Sequence, residues 1–239
     1  MSSTSAALEP YAAIDDFAEF GVRAFTTTRA AGSFSTLGDE AVGAVSARWD
    51  ALRAHLHPEG GRLATARQVH AADVIQHVGG WRGWLRGEAA DGHMSVARGT
   101  GMAVTVADCV PVFVAHPSGA CAVLHSGWRG TVGRIIERGI ALFREASLAP
   151  SDLRVHLGPA ICGRCYEVSP DVHAALTGRA VQVPTTVDLR AVIADHARAA
   201  GVREIVTSAW CTRCDNDRFY SHRAGDAGRQ LGVIAADAR

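Results

Sequence analysis

Three side chains able to hold a metal or act as nucleophile and base stand at the ends of strand-like runs. Cys109 follows Val104-Thr105-Val106-Ala107-Asp108, His125 follows Ala120-Cys121-Ala122-Val123-Leu124, and His70 follows the run from Leu63 to Val69. The stretch VTVADCVPVFVAHPSGACAVLHSGWRGTVG, Val104 to Gly133, is two apolar runs joined by a Pro-Ser-Gly turn. A strand, a tight turn and a strand bring the ends of such segments together, so a thiol and an imidazole are expected in one pocket, with His70 as a second imidazole. His, Cys and His with a fourth position open suit a catalytic zinc. The same Cys-His pair without metal is a thiolate nucleophile with its base. Spacing alone leaves both readings standing, because most of the eleven histidines belong on the surface or in hydrogen-bonded core positions.

The elements that must position these groups are read from apolar periodicity. Strands are expected at Val22 to Thr28, Leu63 to Val69, Val74 to Val78, Met102 to Ala107, Val110 to Ala115, Ala120 to His125, Leu153 to Leu157 and Arg203 to Ser208. Several are β-branched and bounded by Gly, Pro or Asp. Helices are expected at Val42 to Leu56, Val132 to Ala146 and Leu189 to Ala199. Near-continuous apolar strands imply sheets covered on both faces, and the irregular order of strands and helices argues against a strict βαβ repeat. The expected fold class is α/β of the α+β type, a single-domain sandwich of mixed β-sheets flanked by helices. Residues 1–20 are expected to be a tail and residues 21–239 one domain, with turns at Pro58-Glu59-Gly60-Gly61 and Gly79-Gly80. The stretch Gly79 to Glu88, carrying Trp81 and Trp84, reads as a lid or a packed hairpin.

Composition narrows the chemistry. All 24 basic residues are Arg, which excludes a Schiff-base amine and a phosphate-loop lysine. Zero net charge over 239 residues offers no electrostatic footprint for nucleic acid or for an anionic membrane. A small neutral or weakly charged ligand fits better. The first ten residues lack the basic start and apolar run of a signal peptide. The longest apolar stretch, Gly101 to Ala115, is interrupted by Asp108 and falls short of the roughly 20 residues that span a bilayer. A cytoplasmic location is therefore expected, with the six cysteines as thiols or metal ligands rather than disulfides.

Two CxxC pairs, Cys162-Gly163-Arg164-Cys165 and Cys211-Thr212-Arg213-Cys214, suggest a structural zinc, but 45 residues lie between them, beyond the roughly 15–20 of the common pattern. Buried free thiols are expected here, with a structural zinc or a regulatory disulfide as alternatives. Cys121, in mid-strand, belongs to the core.

Several motifs in order resemble the YfiH-like laccase-domain family, also known as polyphenol oxidase or copper oxidase laccase, from about Phe25 onward. They are Thr27-Thr28-Arg29, Arg67-Gln68-Val69-His70, Ala107-Asp108-Cys109-Val110-Pro111-Val112 and His125-Ser126-Gly127-Trp128-Arg129-Gly130. Gly158-Pro159-Ala160-Ile161, Cys165-Tyr166-Glu167-Val168, Cys211-Thr212 and Phe219-Tyr220-Ser221-His222-Arg223, ending in Gly228-Arg229, continue the series. The resemblance implies a zinc held by His70, Cys109 and His125. It also implies phosphorolysis of inosine, guanosine, adenosine and methylthioadenosine, with adenosine deamination as a side activity. An older label implies copper-dependent polyphenol oxidation, and a role in correcting peptidoglycan composition is attributed to some bacterial members.

The residues test each claim. Multicopper chemistry needs about ten His, largely in His-x-His pairs, whereas this chain has one such pair, His55-Leu56-His57, and three Met, none near Cys109. Zinc is expected, with copper as the alternative. An open zinc position serves attack by phosphate at the anomeric carbon or by hydroxide at C6 of adenine. The combined H-x-E and P-C-x-x-C signature of the zinc deaminases is not present, so any deamination needs a different acid. Cys109, His125 and Arg129 are the expected catalytic residues, with Arg29, Arg48, Gln68 and Asp108 contacting substrate; Arg29 and Arg129 are candidates for the phosphate. The chain departs from the family at Ser35-Thr36-Leu37-Gly38 and Ala47-Arg48, where Asn residues are usual; Asn216 is its sole Asn. Alternatives are a Cys-His hydrolase or amidase acting on a cell-wall precursor, and a non-catalytic metal- or nucleotide-binding protein. The expected partners are nucleoside and phosphate, and the expected state is a monomer or small homo-oligomer.

Overall fold

Alternation of side chains along the apolar runs decides how the layers stack. A computed structural model describes residues 9–38, 40–56 and 61–238. One sheet contains β1 (Tyr11–Ile14), β2 (Val22–Thr27), β3 (Arg62–Arg67), β5 (Gly83–Ala89), β7 (Thr100–Val106) and β14 (Gln230–Ala236), in the order β1-β2-β14-β7-β3-β5. The other contains β4 (Val74–His77), β6 (Gly92–Ser95), β8 (Val110–Ala115), β9 (Cys121–Ser126), β10 (Arg154–Leu157) and β13 (Glu204–Thr207), in the order β13-β10-β8-β9-β6-β4. Both sheets mix parallel and antiparallel pairs.

Successive residues point to opposite faces of a strand. Phe113 and Ala115 of β8, Cys121 and Val123 of β9, Val104 and Val106 of β7 and Ile234 of β14 meet between the two sheets. Their neighbours Val112, Val114, Ala122 and Leu124 face outward and are covered by α3 (Ile135–Glu145) and α5 (Leu189–Ala199), introduced after the short α2 (Trp128–Val132) and α4 (Pro170–Thr177). On the far side, Leu231, Val233 and Ala103 are covered by Trp49 and Leu52 of α1 (Val42–Leu56). The mixed-sheet sandwich with flanking helices is thus observed, and the expected α1 and α5 match residue for residue. α5 starts where the Asp188 side chain accepts the amides of Arg190 and Ala191.

Three expectations are corrected. Residues 11–20 are not tail: Tyr11–Ile14 pairs antiparallel with β2, and a short 3₁₀ helix, Asp15–Phe20, buries Phe17 completely between the sheets. The helix expected from Val132 to Ala146 breaks at Arg134, which takes φ +61°, so α2 and α3 are separate. Gly79 to Glu88 is neither lid nor hairpin; β5 runs parallel to β3, and Trp84 stacks on Trp49 at 5.1 Å. β14, wholly buried, has no expected counterpart, because Gly232 interrupts its apolar run. A Cβ at that glycine would stand 2.7 Å from the Pro111 Cβ, so the approach of the two sheets requires it. His57 and residues 58–60 of the expected turn lie outside the described residues. A small ladder of β11 (Glu167–Val168) and β12 (Thr185–Thr186) lies beyond the large sheets. Among the described residues no helix is long and apolar enough to cross a membrane.

Candidate metal centre

The β8–β9 hairpin pairs Val110 with Ser126, which sets Cys109 and His125 at the same end of the sheet. His70 arrives from the turn after β3. Its φ is +58°, an uncommon conformation for a side-chain-bearing residue, and the reason lies in Asp91, which has no solvent exposure. The Asp91 carboxylate accepts the amides of Val69 at 3.1 Å, His70 at 3.0 Å and Ala71 at 2.8 Å, and so holds the turn. Its Oδ1 also lies 2.8 Å from His125 Nδ1. With Nδ1 committed to Asp91, the ring has Nε2 for a ligand, the arrangement typical of metal-binding histidine.

One ligand atom each from His70, Cys109 and His125 all lie within 4.8 Å of one another. The two imidazole rings stand nearly perpendicular, at 87°, with centroids 4.8 Å apart. Burial opposes ionisation of the Cys109 thiol, but the His125 charge and hydrogen bonds from His125 and His70 outweigh it and pull the thiol down to about 6. Burial likewise disfavours protonated His125, yet the Cys109 thiolate and the Asp91 hydrogen bond raise it to about 9. For Asp91 burial acts upward, but bonding to His125 and the backbone amides keeps the carboxyl below its ordinary value. A thiolate and two imidazoles are the donors a borderline-soft divalent ion accepts, with one position left for a non-protein ligand.

Gly127 lies against this group: a Cβ there would be 2.8 Å from Cys109 Sγ. Gly127→Ala should therefore displace the thiolate while deleting no ligand. Metal affinity is expected to fall by about 10-fold or more, the range seen when a ligand's supporting partner is lost, with an unchanged far-UV circular dichroism spectrum; equilibrium dialysis checks it.

The three side chains open onto a cavity of about 560 Å³. Aromatic Phe34, Trp49 and Trp84 line it, along with Arg67, Arg86, Arg229 and His222. Arg67 and Arg86 are exposed, which leaves their guanidinium groups accessible to an anion.

The other expected site residues are placed as follows. Gln68 lines the cavity, but its amide is engaged: Oε1 accepts from Thr105 N and Oγ1, each at 2.7 Å, and Nε2 donates to the Thr105 carbonyl. Asp108, at φ +79°, accepts Thr212 Oγ1 at 2.6 Å and the Arg223 amide at 2.6 Å, so its carboxylate clamps the turn that presents Cys109. Arg29 pairs with Asp226 at 2.5 Å, donates to the Asn216 and Phe219 carbonyls and stacks on Tyr220. Arg48 pairs with Glu40 and donates to the Ser33 carbonyl. Arg129 is exposed and stacks on Trp128. These four, Asp108, Arg29, Arg48 and Arg129, are not among the residues lining the cavity. Asp91, Arg67 and Arg86 are what the sequence reading missed; only Arg67 carried a signal, two residues ahead of Val69 in the motif ending at His70.

A second group gathers Cys162, Cys165, Cys211 and Cys214, whose sulfurs also lie within 4.8 Å of one another. All four are free thiols, as expected, but the expectation of burial is corrected: Cys211 is buried, Cys162 and Cys165 are half-buried and Cys214 is exposed, and the fold brings the two pairs together despite their separation in sequence. Both groups could hold a metal ion.

A family profile described as multi-copper polyphenol oxidoreductase laccase matches residues 25–237. The chain is 31% identical over 212 residues to a purine nucleoside phosphorylase of Streptomyces griseus, covering 84% of this chain and 85% of that protein. It is 32% identical over 250 residues to an adenosine deaminase from an unknown prokaryotic organism, covering 91% and 93%. Among solved structures, YlmD from Geobacillus stearothermophilus superposes with a TM-score of 0.83 at 28% identity, covering 92% of this chain and 93% of that one. A Neisseria meningitidis protein gives a TM-score of 0.84 at 25% identity, covering 96% and 100%.

Proposed function

The chain belongs to the multi-copper polyphenol oxidoreductase laccase family, and within it we propose that this member cleaves purine nucleosides with phosphate, using zinc held by His70, Cys109 and His125. The observation that carries the reading is that these three ligands open onto a cavity with aromatic walls and accessible guanidinium groups. The relatives include a purine nucleoside phosphorylase and an adenosine deaminase, both matched over most of their length. Multicopper oxidation is disfavoured because the residues supply one His-Cys-His group rather than a set of His-rich centres; among the described residues the other metal-competent group is all cysteine.

Bound zinc would act as a Lewis acid that orients phosphate or lowers the pKa of water to about 7. The chain's own residues supply the rest. Phe34 and Trp84 offer faces for a purine, and Arg67 and Arg86 offer forked donors for phosphate. Asp91 fixes the tautomer and orientation of His125. In phosphorolysis a phosphate oxygen bonds to C1′ as the bond from C1′ to the base nitrogen breaks; the base leaves with a proton, and pentose 1-phosphate remains. Inosine, guanosine, adenosine and methylthioadenosine are the proposed substrates, and adenosine deamination is the proposed side reaction.

Asp91, His125 and Cys109 also form the chain of contacts of a thiol hydrolase, and the lowered thiol pKa favours that second reading. A nucleophile needs one base, however, and the second imidazole, His70, bonded to the same sulfur has no task in it. The two readings separate experimentally: a hydrolase survives chelation and dies on alkylation, whereas the zinc enzyme is lost to chelation and regained with zinc.

The deciding experiment is chromatography of inosine and adenosine incubated with pure protein, with and without phosphate. Phosphate-dependent release of base is expected, and no release from either nucleoside would overturn the proposal. Arg86→Ala should lower kcat/KM for phosphate by about 10-fold or more, given roughly 1.5–3 kcal/mol for a charged hydrogen bond, with little change in the KM for nucleoside.

A further inference from the structure

We propose that Cys162, Cys165, Cys211 and Cys214 form a closed tetrahedral site for a second, thiophilic ion, zinc by ligand class, and that this ion braces the turn presenting Cys109. The four sulfurs lie within 4.8 Å of one another, and Cys165 Sγ is 3.5 Å from Cys214 Sγ. Zinc–sulfur bonds of about 2.3 Å in a tetrahedron place sulfurs roughly 3.8 Å apart, so the observed group needs only small adjustments.

The backbone supports the same assignment independently. Each CxxC is a tight turn: the Cys165 amide donates to the Cys162 carbonyl at 2.9 Å, and the Asp215 amide donates to the Cys211 carbonyl at 2.8 Å. Two amides point at one sulfur, Cys162 N at 3.2 Å and Cys214 N at 3.4 Å from Cys211 Sγ. Amides turned onto a ligand sulfur are the outer contacts that orient a metal ligand. A parallel bridge between Ala160 and Cys211, with the Thr212 amide donating to the Ala160 carbonyl, ties one turn to the other. Each turn also carries an arginine, Arg164 and Arg213, as counter-charge to four thiolates around a divalent ion.

The consequence for the first site runs through Asp108. The Ile161 amide, next to Cys162, donates to the Asp108 carbonyl at 3.0 Å, and Thr212, next to Cys211, donates to its carboxylate at 2.6 Å. Both CxxC turns therefore grip the residue preceding Cys109. With four protein ligands no position is left for substrate, so the ion is structural.

The test is the ion count of protein purified under reducing conditions with zinc supplied, by plasma mass spectrometry, beside the absorption spectrum after cobalt(II) replaces zinc. Wild type should carry an ion at each of the two groups. Cys109→Ala should retain one ion and, with cobalt, the strong sulfur-to-metal charge-transfer absorption of a tetrathiolate site. Cys214→Ala should lose one ion, and Cys214→His, which restores a ligand, should regain it. The proposal is overturned if Cys109→Ala holds no ion, if Cys214→Ala holds as many as wild type, or if thiol titration finds these cysteines joined as disulfides. Should Cys214→Ala fail to fold, Cys109→Ala still decides, since all four cysteines remain in it. The readout is metal stoichiometry, so it stands or falls apart from the nucleoside reaction.

Discussion

Replacing Cys109 with alanine should abolish phosphate-dependent base release, by more than about 100-fold, and empty the His70–Cys109–His125 site while leaving the fold in place. Loss of an outer partner of a ligand already costs about 10–100-fold, and Cys109 is the anionic member of the ligand set. Its thiol, held near 6, is ionised at neutral pH, and the ion pair with His125 is what lifts the imidazole to about 9. In the metal-free protein that pair is lost as pH falls through about 6, where the thiolate is protonated, and again as pH rises through about 9, where the imidazolium is lost. Alanine removes the thiolate but leaves the Asp91–His125 bond and the three amides on Asp91 untouched, so the supporting turn survives. The measurements are kcat/KM for inosine with phosphate, zinc content and far-UV circular dichroism. Activity within 10-fold of wild type would refute the assignment of Cys109. Loss of activity in Cys109→Ala together with full activity of chelated wild type would move the thiol from ligand to nucleophile.

What the sequence made legible, and what it hid, follows from how local each interaction is. α1 and α5 could be read to the residue because amphipathic spacing is a property of one segment. The meeting of Cys109 and His125 was legible because a hairpin of about 16 residues has one sensible register. Partnerships across the chain were not. Arg29 looks free for phosphate in sequence, and its commitment to Asp226 depends on a partner 197 positions along the chain folding back. Asp108 looks like a substrate ligand until Thr212 and Arg223 arrive from the far end. The two CxxC pairs lay too far apart to be joined by spacing, yet one parallel bridge aligns them. β14 escaped because the glycine that lets the sheets approach also breaks the apolar run by which a strand is recognised.

Asp91 gave no sequence signal, standing in Ala89-Ala90-Asp91-Gly92 like any turn residue, and Asp91→Asn is expected to damage stability and metal binding together. Oδ1 serves the His70 amide and His125 Nδ1; Oδ2 serves the amides of Val69 and Ala71. An asparagine has one acceptor oxygen, so whichever way its amide turns, an NH₂ group on a fully buried side chain faces N–H donors. If the oxygen keeps the His70 and His125 side, the Val69 and Ala71 amides are orphaned. At up to about 1–3 kcal/mol for each donor left unpaired, and less where water reaches these part-buried amides, the loss is at most about 2–6 kcal/mol. For a chain of this size that lowers Tm by at most roughly 4–24 °C, at about 2–4 °C per kcal/mol. If the oxygen turns to the other side, His125 loses the partner that sets its tautomer, and the His70 turn, at φ +58°, loses one of its anchors. In either orientation zinc affinity should drop about 10–100-fold. Calorimetry and a zinc competition titration read the two effects separately. Measured without metal, Cys109→Ala leaves every Asp91 bond in place and should move the second far more than the first, so a variant at Asp91 that matches wild type in Tm and in zinc affinity would show that this carboxylate neither holds the His70 turn nor orients His125.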